Sequence, residues 1–98
     1  MRTPQSYYVY IMSNISKTFY VGVTSYLERR TWEHRQKRLK GFTQRYIITM
    51  LVHIEEIPRV DDAIAREKQL KGWNRDKKLA LVREANPDWL DLAADWFK

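Results

Sequence analysis

No cysteine occurs among the 98 residues, and glycine and proline occur three times each. The missing thiols exclude a disulfide framework, a zinc ribbon and a cysteine nucleophile. No Gly/Ser linker, internal repeat or low-complexity tract is present. Apolar runs fall far short of the ~20 residues that span a bilayer. The opening MRTPQSYYVYIM lacks a long apolar stretch and a small-residue cleavage site, so no secretory signal is expected and a cytoplasmic location is the default. Domains usually run to roughly 100–150 residues, so one domain over residues 1–98 is expected. A chain of this size buries only about 60–65% of its unfolded surface, enough for a modest core without staples. Hydrophobic residues make up 44% and charged residues 31%, ordinary globular values that argue against wholesale disorder.

What is present is an uneven excess of positive charge. Lysine and arginine number 18 against 12 acidic residues, a formal net charge of +6. Residues 1–86 carry 17 basic and 9 acidic side chains, while residues 87–98 carry only Lys98 against Asp88, Asp91 and Asp95. The stretch Arg29–Arg45 holds seven basic residues and one acidic one, and Arg66–Lys78 holds six and two. Two basic clusters on one small domain point to a polyanion partner. The plainer reading is a solvated helix face.

The pattern predicts the element order β-β-α-β-α-α-α. Tyr7–Met12 and Thr18–Val23 are aromatic and β-branched, and the polar SNISK between them makes a hairpin. Ser25 with Glu28 three residues on has the form of a capping box, for a helix running to about Lys40 and stopping at Gly41. Thr49–Ile57 predicts a third strand, ended by Pro58. Asp61 or Asp62 is expected to cap a second helix ending near Gly72, and Asn74 a third ending near Ala85. Pro87 suits the first turn of a short last helix. The fold class that follows is α+β, a small, mostly antiparallel three-stranded sheet flanked by helices.

Three places break the local rules. Tyr8, Tyr10 and Met12 share one strand face, and Tyr20 and Gly22 share another. If Met12 pairs with Thr18, Tyr10 faces Tyr20 and Tyr8 faces Gly22, leaving an open floor beside two phenols. A merely stabilising aromatic cross-strand pair is the alternative. On the first helix, Arg30 and His34 lie four apart at the edge of the apolar stripe, as a phosphate-binding pair would, or as a solvated pair. On the second, Glu67 falls between Ala63, Ile64 and Leu70, inside the apolar stripe. A carboxylate there is costly unless paired or bound to a metal. Its candidate partners Arg66 and Lys71 are expected towards the outer face, which favours a metal ligand or acid/base role.

Taken together these residues resemble the GIY-YIG endonuclease superfamily, in particular its small standalone bacterial members. Tyr8-Val9-Tyr10 stands where that family has Gly-Ile-Tyr, and Tyr20-Val21-Gly22 where it has Tyr-Ile-Gly. The run YVGVTSYLERRTWEHR puts Arg30 ten and His34 fourteen residues after Tyr20, and REKQLKGWNR followed by NPDW continues the likeness. The resemblance implies a divalent-metal phosphodiesterase acting on DNA. It implies that Tyr10 helps position the attacking water and that Tyr20 is the general base. It implies that Arg30 holds the scissile phosphate and His34 assists proton transfer or contacts phosphate. Glu67 would bind one metal ion, Mg²⁺ or Mn²⁺, and Asn74 and Gly22 would stand near the site. Two departures are visible. Tyr8 replaces a glycine, where its bulk could narrow a site opposite Gly22. Val23 stands where repair members carry a lysine that could lower the tyrosine pKa. A free tyrosine titrates near 10, so a tyrosine base needs help.

Flanking phosphates would fall to Arg35, Lys37, Arg38, Lys40, Arg45, Lys71, Arg75, Lys77 and Lys78. The expected function is a metal-dependent DNA endonuclease or nickase, on structured or damaged DNA in repair or recombination, with RNA as another substrate. A homodimer or protein partner would supply specificity. A nucleic-acid-binding module without catalysis is the alternative. A third reading makes Trp89, Trp96 and Phe97 a protein-interaction surface, but these aromatics more simply close the core.

Overall fold

A computed structural model describes residues 6–36 and 45–97. Its elements are β1 (Tyr7–Ser13), β2 (Tyr20–Thr24), α1 (Leu27–Arg35), β3 (Met50–Ile57), α2 (Val60–Gly72) and α3 (Arg75–Ala85). The three strands form one antiparallel sheet in the order β2-β1-β3, with β1 in the centre. The α+β class and three-stranded sheet match the sequence expectation, and no described helix is long and apolar enough to cross a membrane.

Alternation along β1 sends its two sets of side chains into two different cores. Val9 and Ile11 join Val21, Val52, Ala63, Leu70 and Val82, with Phe19, Trp73 and Trp89 packed around them. That aliphatic core lies under α2 and α3. Tyr10 and Met12 enter the other face with Ile48, Leu51 and Ala93, closed by Tyr20, Leu27, Trp96 and Phe97. A bulge in β3 adds Val52 between the partners of Ile11 and Met12. The three C-terminal aromatics therefore close the two cores, as the plainer sequence reading held.

Several local expectations need correction. The hairpin register is two residues off: Met12 faces Tyr20, Tyr10 faces Gly22 and Tyr8 faces Thr24. Face membership survives, because a slip of two preserves the alternation. No capping box forms at Ser25. Tyr26 is the N-cap of α1, and Thr24 Oγ1 instead accepts from the Tyr26 amide at 3.0 Å. Arg59, not Asp61 or Asp62, caps α2, and both aspartates lie in its first turn, where the helix dipole favours them. Asn74 caps α3 as expected, its Oδ1 accepting from the Lys77 amide at 2.9 Å. The stretch after Ala85 is a series of turns rather than a fourth helix.

Those turns strap the sheet to α1. Buried Asn86 donates to the Val52 and Leu90 carbonyls at 3.1 and 2.9 Å and accepts from the Leu90 amide at 2.9 Å. The Leu92 amide donates to the Leu51 carbonyl at 2.7 Å, and Asp91 accepts from the Leu51 amide at 3.2 Å. Asp91 also pairs with Arg35, whose guanidinium lies 5.4 Å from the Phe97 ring centre. The acidic end of the chain thus serves the fold by holding a basic residue of α1.

Candidate active site

The Tyr10-bearing face of the sheet carries an unusual polar-aromatic cluster. Tyr10 is buried at 1% exposure, and its hydroxyl lies 3.3 Å from His34 Nε2. The Tyr10 and Tyr20 rings are 6.2 Å apart, and His34 sits 5.8 Å from the first and 5.1 Å from the second. His34 reaches them because it lies one turn after Arg30 on the side of α1 that packs on the sheet, beside buried Thr31. The expected edge-of-stripe placement is thus corrected for His34, which points inward while Arg30 is only half-buried.

Gly22 is explained by the same cluster. A Cβ at this position would lie 2.5 Å from Cζ and 2.5 Å from Oη of Tyr10. The Tyr10 ring therefore lies flat across the Gly22 backbone. The floor is covered rather than open, and Tyr8 is not the residue opposite it. The register explains both corrections, since it brings Tyr10 rather than Tyr8 over the glycine.

Burial decides the protonation of this cluster. Desolvation first, then the neighbouring Tyr20 phenol, pushes the Tyr10 pKa well above the ordinary phenol value. Tyr10 therefore stays protonated and can donate, but cannot serve as a base. Burial, aided by the positive charge of Arg30, lowers the His34 pKa from 6.5 to about 4. The imidazole is neutral at physiological pH and so offers phosphate no cationic contact. Its Nδ1 has no hydrogen-bond partner among the described residues.

Arg30 faces a cleft of about 250 Å³ lined by Thr24, Tyr26, Arg29, Arg30 and Glu33. Its Nε lies 3.7 Å from Glu33. Glu33 escaped the sequence reading, although its spacing of three from Arg30 on one helix face was the signal. A carboxylate here aims the guanidinium while weakening its charge towards a phosphate.

Glu67 comes from a different helix. It lies on α2, between buried Ala63 and Leu70, with its side chain 15% exposed. The stripe position is as expected, but the pairing is not: Lys71 Nζ lies 3.0 Å from its Oε2. The four-residue spacing brings the flexible lysine stem back over the carboxylate. α2 packs on β1 and β2 through the aliphatic face, whereas α1 serves the aromatic face. β2 is an edge strand of the sheet.

The donor set bears on metal binding. Among the described residues no group of three or more His, Asp or Glu side chains is gathered to hold an ion. A half-buried carboxylate whose partner is one exposed lysine still suits a hard divalent ion that keeps most of its waters, with Lys71 displaced.

The other candidate residues separate clearly. Arg35 pairs with Asp91. Asn74 Oδ1 is used in capping. Lys77 lies 5.4 Å from the Trp73 ring centre, and Arg45 lies 5.6 Å from that of Tyr46. Lys37, Arg38 and Lys40 lie outside the described residues. A second unanticipated network joins His53 to Glu55 at 2.8 Å and Glu55 to Arg66 through bonds of 2.8 and 3.0 Å. Hydrogen bonding from Arg66 holds the Glu55 carboxyl below its usual range. With Gln69 and the Trp73 ring also engaged, Arg66 is spent on structure.

The sequence model of the GIY-YIG catalytic domain matches residues 6–80. A UPF0213 protein of Syntrophus aciditrophicus is 34% identical over 82 residues, covering 83% of this chain and 93% of that protein. A UPF0213 protein of Natronomonas pharaonis is 35% identical over 78 residues, covering 80% and 92%. The solution structure of a UPF0213 protein from Bacillus halodurans superposes with a TM-score of 0.56 at 25% identity, covering 92% of this chain and 97% of that one.

Proposed function

Since the chain belongs to the GIY-YIG family, a family of nucleases, we propose that it is a metal-dependent DNA endonuclease or nickase. The observation that carries this reading is the buried Tyr10–Tyr20–His34 cluster beside the Arg30 cleft. Phosphodiester hydrolysis needs an activated water, charge opposite the developing phosphorane, and a stabilised leaving oxygen. Tyr20 is the general base, because Tyr10 is held protonated by its burial. Tyr10 and neutral His34, joined through the Tyr10 hydroxyl and His34 Nε2, pack against the Tyr20 ring and position it. Arg30, aimed by Glu33, contacts the scissile phosphate. Glu67 would hold Mg²⁺ or Mn²⁺ in place of Lys71, and the ion would supply charge that polarises the phosphate and stabilises the leaving 3′-oxygen. The scissile phosphate would lie between Arg30 and that ion. Repair or recombination of structured DNA is the setting we propose.

A binding module without catalysis is the competing reading. It draws on the internal pairing of both charges, Glu67 with Lys71 at 3.0 Å and Arg30 with Glu33 at 3.7 Å. The test is a cleavage assay on labelled duplex, single strand, flap and four-way junction, with Mg²⁺, Mn²⁺ or EDTA. Metal-dependent cutting of at least one substrate is expected. Salt-sensitive binding without cutting of any substrate favours the module.

A further inference from the structure

The tip of the β1–β2 hairpin lies at the far end of β2 from the Arg30 cleft, and its chemistry is of a different kind. Ile15 is 90% exposed there. The loop that displays it is tightly built. The Asn14 carbonyl accepts from the Lys17 amide at 3.0 Å, and Asn14 Oδ1 accepts from the Thr18 amide at 2.9 Å. Asn14 Nδ2 donates to the Tyr46 carbonyl at 2.8 Å, tying the hairpin to the segment before β3. Ile47, 56% exposed, holds a left-handed backbone with φ of 53°, which a β-branched residue rarely adopts. Exposure of these isoleucines is therefore fixed by the fold.

Two grooves meet at this tip. An apolar one is lined by Ile15, Tyr46, Ile47 and Met50, with Asn14, Ser16 and Thr49 at its rim. The second is basic, lined by Ser16, Lys17, Thr18, Phe19, Arg75 and Lys78. Among the described residues no carboxylate lines either one. Asp76, in the first turn of α3, is the nearest acidic residue in sequence to Arg75. Cations on one side of an exposed aliphatic tip and an apolar trough on the other match a nucleic-acid strand, whose phosphates and base faces lie side by side. Aliphatic side chains of this kind insert between base steps and unstack them.

We infer that the hairpin tip is a second nucleic-acid contact, in which Lys17, Arg75 and Lys78 hold backbone phosphates and Ile15 opens a base step against the Tyr46–Ile47 trough. This rests on the nuclease reading above and adds to it a determinant of substrate choice. The tip lies beyond the Tyr20 end of β2, so it meets DNA to one side of the cut. DNA whose steps open easily there, beside a mismatch or a branch, is the favoured substrate.

The experiment uses the full chain and a duplex carrying 2-aminopurine at successive positions around the cut, with binding measured in EDTA at several salt concentrations. The triple variant Lys17→Gln/Arg75→Gln/Lys78→Gln is expected to bind more weakly and to lose about 2.5–3 from the slope of log K against log salt. Ile15→Ser is expected to keep the slope but lose the brightening of 2-aminopurine to one side of the cut. Melting curves of both variants check that they fold. If the wild type binds and cuts DNA while both variants match it in slope and brightening, the hairpin contact is wrong and the nuclease reading stands. If the wild type binds no DNA in any salt, both fall together.

Discussion

The two faces of one central strand have been put to opposite uses. On one side of β1, Val9 and Ile11 pack into an aliphatic core under α2 and α3, where shape and volume are all that count. On the other, Tyr10 carries a hydroxyl into the interior and meets His34 at 3.3 Å. The aliphatic face gains stability from each apolar contact. The aromatic face buries a phenol and an imidazole whose desolvation must be offset by packing elsewhere. Groups on the second face have pKa values moved by burial, as functional sites commonly do. One strand thus anchors the fold and builds the candidate site at the same time.

The largest contrast is expected from a pair of variants. Tyr20→Phe removes one oxygen and keeps the ring, so the melting temperature should hold. The cleavage rate should fall about 10²–10⁴-fold, the usual worth of a general base. Ile11→Ala should do the reverse. It leaves a cavity in the aliphatic core and costs about 2–5 kcal/mol in denaturant unfolding. The rate per folded molecule should be unchanged. Equal effects of both variants on both readouts would erase the distinction between the faces.

Acid should act on the aromatic face through His34. The imidazole titrates at 6.5 when unfolded and at about 4 when folded. Between these values the unfolded chain binds more protons, so stability rises with pH there. The contribution is complete above pH 6.5 and is lost as the pH falls towards 4, up to about 3 kcal/mol. Urea midpoints measured from pH 7 to 4 should therefore drop more steeply for the wild type than for His34→Leu. Parallel curves would mean that His34 stays accessible to protons in the folded chain.

Gly22→Ala should give the smallest effect. The new Cβ would press on a Tyr10 ring that is 1% exposed and has nowhere to retreat. Overpacking of this kind costs about 1–3 kcal/mol, read as a lowered melting temperature. A variant as stable as the wild type would show that the ring moves aside freely.

The sequence made the architecture legible because period-2 alternation survives errors of register. The hairpin slip of two residues changed which tyrosine covers Gly22 but not which face it occupies. The capping box failed for a different reason. Thr24 at the end of β2 took the Tyr26 amide, and the helix began one residue later than Ser25 allowed. The Glu67–Lys71 pair was named as a candidate but set aside because a helical wheel places Cβ atoms, while a lysine stem bends back across the face. His34 was read at the stripe edge because its two ring partners come from strands that no local pattern connects to α1. The Arg35–Asp91 pair escaped the sequence reading because its partners lie 56 residues apart in sequence. Long-range pairing of charge is the information that composition cannot carry.

The most direct measurement is single-turnover cleavage by Glu67→Ala with Mg²⁺, beside DNA binding by the same variant in EDTA. Our account predicts a rate at least about 10³-fold lower, several kcal/mol of lost transition-state stabilisation, with binding retained. Cleavage at the wild-type rate would contradict the assignment of Glu67 as the metal-binding carboxylate and with it the proposed site.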